Sequence, residues 1–146
     1  MIKQYTVSSH KIDNCFRIAL ITDLHSCYYG DGQKQLLTKI GKQNPDIILF
    51  GGDIADDKIS HSNTIPALKA VAKIYPFFYV SGNHEFWSGE IEHIKTMFCN
   101  YGVSVLEGDG KEIEVNGQII NICGIDDFEI GTEKYVEQIK HSVSEV

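Results

Sequence analysis

Apolar, β-branched runs alternate with helix-type patterns through most of the chain. Short apolar runs bounded by turn residues are typical of buried strands, and apolar residues spaced three or four apart are typical of amphipathic helices. Strands are predicted at residues 4–8, 17–22, 47–50, 77–80 and 103–106. Helices are predicted at residues 35–42, 63–74 and 91–100, the last capped by Ser88. The alternation predicts right-handed βαβ units and a largely parallel sheet.

The pattern changes in the last third of the chain. Residues 111–115 and 118–123 carry apolar side chains at alternate positions and flank Asn116-Gly117, a strong hairpin signal. An antiparallel hairpin is therefore predicted after the parallel units. A final helical stripe has three apolar residues at four-residue spacing, Tyr135, Ile139 and Val143. No Gly or Pro stop signal follows this stripe.

Composition and charge narrow the class of protein. A chain of 146 residues is of single-domain size and can bury an ordinary core. The net charge of -7 argues against a protein that holds nucleic acid through phosphate contacts, although it does not exclude a nuclease with bound metal. The sequence contains no stretch able to span a membrane and no basic-then-apolar leader, so we expect a cytoplasmic protein with reduced cysteines.

Three short polar loops each follow one of the predicted parallel strands. They are Asp23-Leu24-His25, Gly52-Asp53-Ile54-Ala55-Asp56 and Gly82-Asn83-His84-Glu85. In an open α/β sheet, ligands gather where the strands end, so the three loops are expected to meet at one place. Taken singly, each of these residues also suits an ordinary turn or cap. Together they offer carboxylate, amide and imidazole groups, a mixed set that suits Mg, Mn, Fe or Zn.

In this order the loops resemble the blocks of the calcineurin-like metallophosphoesterases, Asp-x-His, Gly-Asp-x-x-Asp and Gly-Asn-His-Asp/Glu. The resemblance implies a β-sandwich flanked by helices (αββα), here its N-terminal half, with mostly parallel βαβ units followed by the hairpin. It also implies hydrolysis of a phosphomonoester or phosphodiester by a water activated between two divalent ions, Mn, Fe, Zn or Mg. On this resemblance Asp23 and His25 bind the first ion, Asp53 bridges both, and Asn83 binds the second.

The same resemblance assigns further roles in the second and third loops. His84 matches the histidine that donates a proton to the leaving group, for which an imidazole with a pKa near 6.5 is suited. Asp56 is expected to orient the neighbouring ligands, and Glu85 is expected to orient His84. Asp53, Asp56 and Asp57 also place three carboxylates within five residues, which repel one another unless a cation compensates.

Two later blocks of the family pattern, Gly-His-x-x-His and Gly-His-x-His, have no match in this sequence. The last histidine, His141, has no glycine before it and lies in a charged amphipathic stretch. We therefore expect residues 1–146 to form a phosphoesterase domain that is incomplete at its C-terminal end, either as a fragment or as a naturally truncated product. The alternative is a catalytically incomplete member of the family that acts as a binding or scaffolding module.

An incomplete sheet would also leave an uncovered edge, which predicts self-association. Neither the phosphoester substrate nor the identity of the metal can be read from these residues.

Overall fold

Six strands and five helices follow one another in the computed structural model, which describes residues 1–144. The strands are β1 Ile18–Ile21, β2 Ile47–Gly51, β3 Phe77–Val80, β4 Ser104–Val105, β5 Gly110–Val115 and β6 Gln118–Cys123. The helices are α1 Lys34–Gly41, α2 Thr64–Val71, α3 Asn83–Trp87, α4 Ile91–Asn100 and α5 Thr132–Ser144.

The first four strands form a parallel sheet in the spatial order β1-β2-β3-β4. Its central strands β2 and β3 are mostly buried, as strands covered on both faces must be. Ile48, Phe50 and Tyr79 pack in one cluster with Leu68 of α2 and Phe98 of α4. This cluster fixes the helices against one face of the sheet. The predicted βαβ organisation is confirmed.

The hairpin packs on the opposite face of the sheet. Strands β5 and β6 pair antiparallel, and both turn residues, Asn116 and Gly117, have positive φ, at 50° and 77°. Positive φ at both central positions is what a two-residue turn of this kind requires. Ile47 and Phe78 of the parallel sheet join Val115 of the hairpin in a second buried cluster. The expected mixed α/β architecture, with a hairpin after parallel units, is confirmed.

Part of the face beside the hairpin is accessible to solvent. On β1, an edge strand of the parallel sheet, Leu20 is 65% exposed and Ile18 is 43% exposed. A groove of about 230 Å³ lies between sheet and hairpin. Its lining is almost entirely apolar and includes Leu20, Leu49, Phe78, Leu106, Ile122 and Ile125. Exposed apolar surface therefore runs from this groove to the edge strand.

Helix α5 docks through a polar face. The helix itself was predicted, but of its apolar stripe Ile139 is 38% exposed and Val143 is 71% exposed. The buried residue is Gln138, and the carbonyl of Gly108 accepts hydrogen bonds from the side chains of His141 and Ser142. Within residues 1–144, no helix is both long and apolar enough to cross a bilayer.

Three local predictions are wrong. Residues 4–8 form no strand but are exposed, because alternating residues make a strand only where a neighbouring strand pairs with them. The third loop is not a loop throughout, because Asn83 begins the short helix α3. Ser88 does not cap α4, because the N-cap of this helix is Glu90. The Ser88 hydroxyl instead accepts a hydrogen bond from the Glu90 amide and donates one to the carbonyl of Glu85.

Candidate metal centre

The loops that follow β1 and β2 run side by side at the carboxyl end of the sheet. The amide of Asp23 donates to the carbonyl of Gly52 over 3.2 Å, and the amide of His25 donates to that of Asp53 over 2.9 Å. Asp23, His25 and Asp53 all have positive φ, at 57°, 46° and 55°. Such a conformation costs a non-glycine residue roughly 1–3 kcal/mol, and residues that adopt it cluster at functional sites. Three of the four expected metal ligands are thus in this conformation, which Ser26, Gln33, Asn44 and Asn116 also adopt.

Glycines bring the loop after β2 against the loop after β3. A Cβ on Gly52 would lie 2.8 Å from the Cα of Gly82, and a Cβ on Gly82 would collide with the carboxylate of Asp53. Only glycine fits at either position. Because the two backbones approach so closely, the amide of His84 donates to Oδ1 of Asp53 over 3.0 Å.

Glu85 is fully buried and holds the Asp53 loop through its carboxylate. Its Oε2 accepts from the amides of Asp53 and Gly82, both at 2.9 Å. Its Oε1 accepts from the amides of Ile54 at 2.7 Å and Ala55 at 2.9 Å. Four backbone donors converge on one carboxylate, so Glu85 fixes the backbone at the site. Its expected role in orienting His84 stays a prediction.

Two imidazoles face each other at the site. The ring centroids of His25 and His84 are 4.4 Å apart, with an interplanar angle of 78°. Nε2 of His25 lies 3.9 Å from Oδ1 of Asp23, and its Nδ1 lies 3.3 Å from Oδ2 of Asp56. That Nδ1 is buried and makes no hydrogen bond with the part of the chain that is described. With Asp53, the two histidines offer donor atoms that all lie within 4.8 Å of one another.

Asp57, which has no role in the sequence motifs, holds the imidazole of His84. Its Oδ1 lies 2.9 Å from Nδ1 of His84, whereas the nearest oxygen of Asp56 lies 3.8 Å from the same atom. The hydrogen bond to Asp57 raises the pKa of His84, outweighing the opposite effect of burial. It also lowers the pKa of Asp57. The two directions agree, as a hydrogen-bonded imidazolium and carboxylate require.

Asp56 lies beside both histidines, with Oδ2 at 3.3 Å from Nδ1 of His25 and 3.8 Å from Nδ1 of His84. Its Oδ1 accepts from the amides of Lys58 and Ile59, each at 2.9 Å, which leaves Oδ2 near Nδ1 of His25. Burial alone would raise the pKa of Asp56, but these backbone hydrogen bonds outweigh it and lower the pKa. Asp56 therefore faces the imidazoles as a carboxylate.

The other two expected ligands lie next to this set. The side chain of Asp23 is 67% exposed, and Asn83 is the first residue of α3, directly before His84. The group of donor atoms within 4.8 Å therefore consists of His25, Asp53 and His84, and His84 is the histidine that was expected to donate a proton to the leaving group. Imidazole and carboxylate donors of this kind fit a divalent ion such as Mn, Fe or Zn. Nδ1 of His25 makes no hydrogen bond with the described residues, although it lies 3.3 Å from Oδ2 of Asp56.

Relatives of the chain were found among curated proteins. An uncharacterized metallophosphoesterase of Helicobacter pylori is 30% identical over 131 residues, which cover 87% of this chain and 34% of that protein. A putative metallophosphoesterase of Caenorhabditis elegans is 33% identical over 122 residues, which cover 76% of this chain and 24% of that protein. The chain thus spans about a third or less of the length of these two relatives.

One solved structure that resembles the chain is that of the phosphopantetheinyl hydrolase from Mycobacterium tuberculosis. The match has 17% sequence identity and a TM-score of 0.48, and it covers 73% of this chain and 41% of that one. The family model of the calcineurin-like phosphoesterases matches residues 16–142, nearly the whole chain. The chain belongs to the calcineurin-like phosphoesterase family.

Proposed function

We propose that this chain carries part of the metal centre of a phosphoesterase, which hydrolyses a phosphomonoester or phosphodiester. One observation carries the proposal: in a member of this family, donor atoms of His25, Asp53 and His84 converge within 4.8 Å at the ends of parallel strands. Bound divalent ions would supply Lewis acidity and an activated water there. Each remaining step is assigned to a side chain of this protein.

Four side chains would hold the ions. We assign Asp23 and His25 to the first ion, Asn83 to the second, and Asp53 to both, because a carboxylate has two oxygens to share. The backbone supports this assignment for Asp53, whose amide is held by Glu85 and whose Oδ1 already accepts from the amide of His84. A ligand fixed in this way loses little conformational freedom when an ion binds.

His84 would donate the proton that the leaving oxygen needs. Asp57 occupies its Nδ1, so Nε2 is the nitrogen free to give up a proton to a substrate. Because the same contact raises the pKa of His84, the imidazole stays protonated to a higher pH than an isolated histidine does. An acid in this state near neutrality suits protonation of an alkoxide.

The second ion would have few donors. Asp53 and Asn83 give it two, whereas a catalytic ion usually has about three protein ligands. We therefore propose that the 146-residue chain alone binds the second ion weakly and turns over slowly. The alternative role, a family member that serves as a binding or scaffolding module, corresponds to a chain that binds no ion at all.

Calorimetric titration with Mn²⁺ or Zn²⁺, with an assay on bis(p-nitrophenyl) phosphate, tests the proposal. The wild-type chain is expected to bind one ion and to turn over slowly. The Asp53→Asn variant is expected to lose both the metal binding and the turnover. Glu92→Gln, which removes an exposed carboxylate on α4, is the matched control and should keep both. Absence of metal binding in the folded wild-type chain would favour the scaffolding role. Tight binding of two ions with fast turnover would refute the shortage of ligands.

A further inference from the structure

A buried charged network lies at the end of β3 and includes Ser81. Four of its members are almost inaccessible: Asp126 is 2% exposed, Ser81 4%, Lys95 6% and Gln138 9%. The fifth, Glu107, is half exposed. We call these five residues the Lys95 network. None of them is a proposed metal ligand, and the sequence motifs do not include them.

Asp126 is the centre of this network. Its Oδ2 accepts from Nζ of Lys95 at 2.8 Å and from Nε2 of Gln138 at 2.9 Å. Its Oδ1 accepts from the hydroxyl of Ser81, and its amide donates to Oε1 of Gln138 over 2.8 Å. Lys95 also donates to Glu107 over 2.6 Å. Every polar group of the Asp126 side chain is satisfied, which is the condition for keeping a carboxylate buried.

The network joins helix α5 to the rest of the fold. Gln138 is on α5, Lys95 is on α4, and Asp126 follows β6. Gly108 allows α5 to approach, since a Cβ there would lie 2.7 Å from the Cα of Gln138. The polar face of α5 therefore packs on Asp126 and Gly108. A substitution at Gln138 removes hydrogen bonds to Asp126 and should change the position of its carboxylate.

The same network reaches the turn that carries two proposed site residues. Ser81 is the first residue after β3, and it is followed by Gly82, Asn83 and His84. On the side of the metal centre, this turn is held by Glu85 and Asp53. On the other side, the Ser81 hydroxyl is held by Asp126. A short turn that is hydrogen-bonded at both ends has little conformational freedom.

We propose that Asp126 is a positioning residue for the candidate metal centre: seated by Gln138 of α5, it holds Ser81 and so places Asn83 and His84. It acts through Ser81 and touches neither substrate nor ion. The inference concerns the same site as the proposed function but does not depend on what that site does. Its first readout accordingly uses neither metal nor substrate.

Trp87, the only tryptophan of the chain, reports on the turn. It lies on α3 with its ring centroid 4.9 Å from that of His84, and it follows Phe86, whose ring centroid lies 5.7 Å from Nζ of Lys95. The indole N–H signal in a ¹⁵N-correlated NMR spectrum and the tryptophan emission maximum are measured in Asp126→Asn, Ser81→Ala and Gln138→Met. In each variant both signals should shift further than in Glu107→Gln. That control also removes a partner of Lys95, but one that does not reach Ser81.

The two smaller substitutions keep the test decisive if Asp126→Asn fails to fold. Gln138→Met is the sharper of them, because it acts from α5 and leaves β3 unchanged. If the Trp87 signals of the folded Gln138→Met and Ser81→Ala variants move no further than those of Glu107→Gln, Asp126 only seats α5 and the proposal is overturned. A second readout, which does rest on the proposed function, is the Kd for Mn²⁺: it should rise about tenfold in the same variants and stay unchanged in Glu107→Gln.

Discussion

Replacing Glu85 by glutamine should destabilise the chain strongly although the two side chains have nearly the same shape. The carboxylate accepts four backbone hydrogen bonds, two at each oxygen. In Glu85→Gln, one oxygen becomes an NH₂ group that must face two N–H donors. Turning the amide over only changes which pair of donors is left, either those of Asp53 and Gly82 or those of Ile54 and Ala55.

The size of the effect follows from the two bonds that are lost. A hydrogen bond to a charged group contributes about 1.5–3 kcal/mol, so two lost bonds lower the free energy of unfolding by about 3–6 kcal/mol. Glu85 is 0% exposed, so water cannot replace the missing acceptor. Small domains have about 5–15 kcal/mol of stability in total, and the variant should therefore be marginal or unfolded at 25 °C.

Urea unfolding followed by far-UV circular dichroism measures this loss. With a urea dependence of about 2 kcal/mol per M, the midpoint should fall by about 1.5–3 M. Glu92→Gln, an exposed position on α4, is the control and should move the midpoint little. A loss in Glu85→Gln below about 1 kcal/mol, the contribution of one ordinary neutral hydrogen bond, would refute the view that this carboxylate holds the Asp53 loop.

Three further outcomes are expected. Asp57→Asn removes the largest cause that raises the pKa of His84; because the acid must be protonated, the fall of activity at high pH should move to lower pH, and turnover should drop about 10- to 100-fold. With a substrate whose leaving group needs a proton, His84→Ala should lower turnover by about 10²–10⁴ with metal content unchanged. With a substrate that releases p-nitrophenolate, which needs no proton, the variant should largely keep its rate. Loss of metal in the variant would instead make His84 a ligand. Light scattering should detect self-association of the wild-type chain and a monomer for Leu20→Glu on the exposed edge strand, whereas a monodisperse wild-type monomer would contradict this use of the edge.

Local sequence pattern was sufficient for most of the fold. The apolar runs at β2 and β3 are buried on both faces, so their composition alone marks them as strands of a parallel sheet. Asn116-Gly117 marks the hairpin because few other residue pairs adopt two positive φ values. The pattern failed at residues 4–8, where alternation is present but a pairing strand is not. It predicted the helix α5 but not its docked face, which is polar and so resembles a solvated one.

The candidate site was accessible from the sequence only as far as its motifs extend. The family was identified correctly, the third loop proved to include the start of α3, and the roles of Asp23, His25, Asp53 and Asn83 stay predictions. Contacts between residues far apart in the sequence could not be predicted from its local patterns. Glu85 reaches across 31 residues to the amide of Ile54, and Asp126 reaches across 45 to Ser81. Which of two adjacent carboxylates meets His84 depends on how the loop turns, and a sequence pattern does not give that.

Binding of a divalent ion at the ends of β1, β2 and β3 is the central claim, and paramagnetic broadening by Mn²⁺ tests it most directly. Small amounts of Mn²⁺ are added to the ¹⁵N-labelled chain, and the loss of each amide signal is recorded. Broadening should concentrate at residues 23–25, 53–57 and 83–85, and it should disappear there in a folded Asp53→Asn variant. Broadening spread over other surface carboxylates, or unchanged in Asp53→Asn, would contradict the claim.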